Sequence, residues 1–111
     1  MPQQPLPGSP VRGSITGRPI MAVLDLIGRR WALRILWELQ AGPLGARELA
    51  RQCDGMSSSV LYQRLEELTA AEVVEQDDDG RYELTEVGTK LGKALHPLDR
   101  WAKEWAEGLK P

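Results

Sequence analysis

Apolar residues are sparse and irregular over positions 1–17, then recur at regular spacing from position 19 onward. The first seventeen residues hold Pro2, Pro5, Pro7, Pro10, Gly8, Gly13 and Gly17 and little to bury. That composition predicts a disordered, mobile arm, followed by one domain over 18–111. Pro19 is a favoured residue at a helix start. Met21, Val23, Leu24, Leu26 and Ile27 fill more than one face, so the first helix is expected to be buried on two sides, with Gly28 as its left-handed cap. A second helix is expected from about Arg30 to Ala41, carried by Trp31, Leu33, Ile35, Leu36 and Leu39 and stopped by Gly42-Pro43. A short third helix covers roughly Gly45 to Cys53, with Ala46, Leu49 and Ala50 inward. Asp54-Gly55-Met56 makes a tight turn, and Ser57 is a good N-cap for a fourth helix reaching about Ala71. On a helical wheel Leu61, Leu65 and Leu68 share one side with Val60 beside them, and Ser59, Tyr62, Gln63 and Glu66 fall opposite.

The pattern then changes period. Val73-Val74-Glu75-Gln76 and Arg81-Tyr82-Glu83-Leu84 read as short strands around Asp77-Asp78-Asp79-Gly80, a hairpin signal. Thr85 caps a last helix reaching Leu109, which Pro97 should kink or break. Its stripe of Val87, Leu91, Ala94, Leu95, Leu98, Trp101 and Trp105 is too apolar to leave wet on so small a domain. We expect a homodimer built from the first and last helices, with Met21, Leu24, Leu95, Leu98, Trp101 and Trp105 at the interface. The alternative is packing of that stripe onto the chain's own first helix.

Two helices joined by a short glycine-containing turn, followed directly by a hairpin, make a winged helix-turn-helix: mainly α with a small β wing (α+β). In that geometry the second helix, here 57–71, presents its N-terminal residues to base edges in a major groove about 12 Å wide. Ser57, Ser58, Ser59, Tyr62 and Gln63 are then the candidate contacts to double-stranded DNA. Gln63 can bond adenine bidentately, the serines can bond phosphate or a base edge, and Tyr62 can meet a phosphate or a thymine methyl. Arg64 leans toward the apolar side, where a phosphate or an acid within the domain are equal choices of partner. Arg29, Arg30, Arg47 and Arg51 are phosphate candidates, each with an ordinary surface arginine as the alternative.

Charge sharpens this picture only when divided along the chain. The whole carries −2. Residues 18–64 hold seven arginines, no lysine and four acids, for +3, and residues 65–111 hold six basic and twelve acidic residues, for −6. A basic arginine half beside an acidic half gives one face to an anionic partner. In 1–17 the only charge is Arg12, so a basic arm in a minor groove is not expected. One cysteine (Cys53) and one histidine (His96) exclude a single-chain Cys/His zinc site and an internal disulfide. Cys53 beside Asp54 reads as structural, and His96 before Pro97 as a helix-break residue. Pairs such as Glu66-Glu67 read as solvated surface. No nucleophile–base pair is visible, so neither an enzyme nor a cofactor is expected. No apolar run approaches the roughly 20 residues that span a bilayer, and the start has no basic or apolar signal region. The expected location is the cytoplasm.

The sequence resembles the HxlR-type winged-helix transcriptional regulators, a branch close to the MarR group. The resemblance lies in Leu24-Asp25-Leu26-Ile27-Gly28-Arg29-Arg30-Trp31, Ile35-Leu36-Trp37-Glu38-Leu39, Gly42-Pro43, Glu48-Leu49 and Gly55-Met56-Ser57. It continues through Val60-Leu61-Tyr62-Gln63-Arg64-Leu65-Glu66-Glu67-Leu68, Tyr82-Glu83-Leu84-Thr85, Gly88 and Leu91-Gly92, covering about 18–107. It implies a homodimeric DNA-binding regulator, expected to be a repressor, which in some members responds to a small electrophile or oxidant. Three positions depart from the family's habit. Arg18 stands where members usually carry a cysteine before the first helix. Arg47 stands where a serine-like cap is usual. The wing reads Asp77-Asp78-Asp79, leaving Arg81 as its one plausible phosphate contact. That acidic wing, with a pI near 5.4, motivates a second reading: an interaction module for a protein or small ligand with weak DNA affinity.

Overall fold

The computed structural model describes residues 4–11 and 14–109. Arg12, and the parts of the expected arm at 1–3 and 13, lie outside them. Pro19 opens α1 (Pro19–Gly28), followed by α2 (Ala32–Leu39), α3 (Ala46–Gln52) and α4 (Ser58–Ala70). Then come β1 (Val74–Gln76), β2 (Tyr82–Leu84), α5 (Glu86–Ala94) and α6 (His96–Gly108). This is a winged helix-turn-helix, the fold the pattern predicts.

Gly28 is not the left-handed residue expected between the first two helices. It is the last residue of α1, Arg29 is extended, and the reversal falls on Trp31 with φ 75°. A bulky residue holds that backbone only where its surroundings fix it. The Trp31 ring packs against the core while the Arg30 guanidinium lies 5.6 Å from its centroid. The helix α2 is therefore shorter than its periodicity implied. In the turn between α3 and α4, Asp54 and Gly55 take φ of 56° and 78°, conformations that these two residue types tolerate best. The Gly55 N–H then returns to the Ala50 carbonyl at 3.1 Å. Ser57 caps α4 as expected, its Oγ accepting the Val60 N–H at 3.3 Å.

The core is built by Leu26 of α1, Ile35, Leu36 and Leu39 of α2, Leu49 of α3, and the Leu61, Leu65, Leu68 stripe of α4. Val73 and Val74 close it from the hairpin side. Strands β1 and β2 pair antiparallel, Val74 with Leu84 and Gln76 with Tyr82. A third partner, not expected from the sequence, is Leu44, which exchanges two backbone bonds with Tyr82 (2.8 and 3.0 Å). It ties the wing's second strand to the entry of α3. The Asp77 carboxylate builds the hairpin tip by accepting the Asp79 and Arg81 N–H groups at 2.9 and 3.0 Å. Thr85 locks the next corner, donating to the Glu72 carbonyl at 2.7 Å and accepting the Gly88 N–H at 3.0 Å.

Pro97 breaks the last helix rather than kinking it. α5 ends at Ala94 and α6 begins at His96, whose Nε2 lies 2.9 Å from Gln40 Oε1. The stretch expected to be a disordered arm touches α4 at Gln4. Pro5 and Val11 are buried, and Gln4 Nε2 donates to the Glu67 carbonyl at 2.8 Å. Among the described residues no helix is long and apolar enough to cross a membrane, and no group of three His, Cys, Asp or Glu is gathered for a metal ion.

Candidate nucleic-acid interface

The two faces of α4 are segregated by its sequence. Leu61, Leu65 and Leu68 are buried, and Ser58, Ser59, Tyr62 and Gln63 are exposed on the other side. Ser57 sits at the helix entrance with its hydroxyl committed to capping, and Ser59 Oγ is 3.4 Å from it. The Ser58 hydroxyl and the Gln63 amide make no hydrogen bond among the described residues. A row of unspent donors and acceptors on the outer face of the second helix-turn-helix member is the arrangement that base reading needs. Arg34, which the sequence did not single out, steadies the unit from behind. Its guanidinium joins Glu38 (2.9 Å), Asp54 (3.2 Å) and the Gln52 carbonyl, pinning the turn to α2. The Glu38 bond, with Asp54 behind it, raises the Arg34 pKa further above its ordinary value, so the guanidinium stays charged.

The arginines divide into spent and unspent. Arg47 is exposed at the start of α3 and has no ion-pair partner among the described residues. Arg30 is exposed beside Trp31. Arg51 is paired with Glu48 of its own helix. Arg81 is held by Asp77 at 3.0 Å and Asp79 at 3.6 Å, so the wing neutralises its own cation. Burial alone would raise the Asp77 carboxyl, but the N–H groups of Arg81 and Asp79 and the Arg81 charge outweigh it and hold it below the usual carboxylate range.

Arg29 is a correction. It is only 6% exposed and cannot reach a phosphate. Its guanidinium meets Glu67 of α4 at 2.8 Å and Asp25 of α1 at 3.4 Å. Arg64 takes the inward alternative, donating to the Arg30 carbonyl at 2.8 Å and pairing with Glu67 at 2.8 Å. Glu67 is thus no solvated acid but the shared counter-charge of two arginines. Arg64, three residues before it on α4, is a local partner, but Arg29 lies 38 residues away and nothing local marks that contact.

Of the candidate dimer residues, Leu24, Leu98, Trp101 and Trp105 are exposed and Met21 is half-buried. Trp101 and Trp105 remain 54% and 56% exposed, their rings stacked at 5.3 Å. Leu95 is a correction: it is 7% exposed, covered by its own chain at the α5–α6 junction. Against the packing alternative, α6 contains no buried residue and both tryptophans stay more than half exposed. Cys53 is fully buried in the core. Burial pushes its thiol up, and Glu38 and Asp54 add to this against the opposing Arg34 charge.

A helix-turn-helix with an open polar recognition face and an attached hairpin defines a winged-helix DNA-binding transcriptional regulator. The chain belongs to the HxlR-like helix-turn-helix family, whose model matches residues 26–110. Its relatives include two HTH-type transcriptional regulators of Bacillus subtilis strain 168. YvaP is 30% identical over 90 residues, covering 76% of this chain and 83% of YvaP. YodB is 30% identical over 92 residues, covering 78% and 82%. Among solved structures, quinone-bound YodB from B. subtilis superposes with a TM-score of 0.72 at 32% identity, covering 77% of this chain and 96% of that one. A MarR-family transcriptional regulator from Enterococcus faecalis V583 gives 0.71 at 30% identity, covering 80% and 86%.

Proposed function

We propose that this regulator works as a cytoplasmic homodimer that recognises an operator through α4 and represses by occupying it. The observation that carries this reading is the exposed row Ser58, Ser59, Tyr62 and Gln63 opposite a buried leucine stripe, with Ser58 and Gln63 unspent and Arg47 beside them without an ion-pair partner among the described residues. Each protomer places the N-terminal half of α4 in a major groove, and the two half-sites lie about 34–36 Å apart or a multiple of that. Gln63 and Tyr62 read bases, Ser57, Ser58 and Ser59 position the helix, and Arg47 and Arg30 hold phosphates, with Arg51 and Arg81 reaching one only by leaving their acids.

The test is fluorescence anisotropy on duplexes selected by the full-length protein from a random library, against scrambled duplexes across salt. Gln63→Ala is expected to lose about 1–3 kcal/mol on the selected duplex and little on the scrambled one. Arg47→Ala is expected to weaken both alike and to make the salt slope shallower by about 0.9 for each phosphate it no longer neutralises. Equal loss on both duplexes for Gln63→Ala refutes its reading role.

The dimer rests on Leu24, Leu98, Trp101 and Trp105, apolar and open to water on a chain of 111 residues. Light scattering of the parent at micromolar concentration is expected to give twice the 12.4 kDa chain mass, and the Trp101→Ala/Trp105→Ala protein the chain mass itself. A monomeric parent sinks this part. The relative YodB has been solved with a bound quinone. In this chain Arg18 precedes α1 and the only thiol is sealed in the core, so a small effector would act here without thiol addition. The acidic wing, whose one cation is held by Asp77 and Asp79, favours one second reading, a module for a protein or ligand partner with weak DNA affinity. Weak, salt-insensitive and equal binding to selected and scrambled duplexes would establish it.

A further inference from the structure

Between α3 and α4 the recognition surface has a hollow of about 210 Å³. Its floor is apolar: Ala46 and Ala50 from α3, Met56 from the turn, and Leu61 from α4. Its rim carries Arg47, Ser58 and Tyr62. No acid lines it, although acids outnumber basic residues in the chain as a whole. The hollow is smaller than the roughly 300–1,000 Å³ of small-molecule sites. It fits a substituent projecting from a larger molecule rather than a free effector.

The mouth narrows the choice of molecule. Among the described residues the Arg47 guanidinium is unpaired and the Ser58 hydroxyl unspent, both suited to an anionic backbone next to whatever enters. Tyr62, exposed and one turn along from Ser58, walls the hollow with an apolar ring face. An apolar pit beside phosphate-binding groups, on the face of α4 that carries the base-reading row, matches one feature of the major groove: the C5 methyl of thymine, the only apolar group displayed there.

We propose that this hollow receives the methyl-bearing edge of one thymine in each half-site, with Arg47 on a neighbouring phosphate. The assignment rests on the DNA-binding reading above and adds to it a source of base preference that uses no hydrogen bond. The small size of Ala46 and Ala50 is then a specificity feature, since larger side chains would fill the pit.

The experiment uses the full-length protein and a duplex it selects from a random library. Each thymine of that duplex is replaced in turn by deoxyuridine, which lacks only the methyl group, and binding is followed by anisotropy. One replacement per half-site is expected to weaken binding about fourfold, the value of burying one methyl-sized group. For Ala46→Leu, whose side chain fills the pit, the same replacement is expected to change affinity by a factor of about one. Tyr62→Ala, which removes the wall from the solvent side, is expected to do likewise and covers a failure of Ala46→Leu to fold. Deoxyuridine that is neutral at every position overturns the proposal, as does a fourfold loss that persists in both variants. If the library yields no selected duplex at all, the DNA-binding reading itself fails, a different result from methyl-independent binding to a selected site.

Discussion

The Glu67→Ala protein is expected to be about 3 kcal/mol less stable than the parent. Glu67 is 12% exposed at its side chain and faces two cations, Arg29 at 4% and Arg64 at 16%. Removing one member of a buried pair typically costs about 3–5 kcal/mol, because the partner charge stays buried without compensation. Here the loss belongs at the low end of that range. Asp25 still meets Arg29, and the Arg30 carbonyl still accepts from Arg64. Against a total stability of roughly 5–15 kcal/mol for a domain, the change is large. Urea unfolding followed by circular dichroism measures it. A midpoint shift worth under about 1 kcal/mol would mean the network is solvated in solution.

Gly88→Ala is expected to be comparably damaging, for a steric reason. A Cβ at this position would stand 1.9 Å from the Val73 carbonyl oxygen and 2.9 Å from its carbon. That obstacle is backbone at the base of the wing, and it already accepts the Thr85 N–H. It cannot rotate away as a side chain would. α5 must move off the hairpin, at about 3 kcal/mol or more, beyond the usual range for overpacking. Alanine in a helix interior otherwise gains about 1 kcal/mol over glycine, so the sign is diagnostic. Gly92→Ala provides the contrast, since its Cβ would meet the flexible Gln40 side chain at 3.3 Å. If Gly88→Ala unfolds at the same denaturant concentration as Gly92→Ala, the close approach of α5 to Val73 is wrong.

These two positions also show what the chain's linear pattern makes legible. The order of elements could be read because each rests on neighbours in sequence. The leucines at 61, 65 and 68 define the buried side of α4, Ser57 caps it within one turn, and Asp-Gly punctuates the hairpin. The exposed row at 58, 59, 62 and 63 follows from the same wheel. What escaped depends on residues far apart in sequence. Arg29 looks like any cation in an Arg-Arg-Trp run until α4 brings Glu67 to it. Arg64 had two equal choices until the fold supplied the Arg30 carbonyl. Leu44 joins the wing only because Tyr82 arrives beside it. The reversal after α1 went to Trp31 instead of Gly28 because ring burial outweighed local backbone preference.

The exposed condition of α6 has a further consequence, one of mass action. A helix of thirteen residues with none buried in its own chain draws little stability from that chain. In the proposed dimer, its order is then a property of concentration as much as of sequence. The thermal midpoint rises with protein concentration, because association favours the folded form. On that proposal, dilution to protomers would lose the geometry that spaces two recognition helices. Occupancy of a two-half-site operator then climbs with the square of protomer concentration over the range where monomers dominate. If the proposed dimer is the repressor, few copies per cell would leave the operator open, and a modest rise in synthesis would close it over a narrow range.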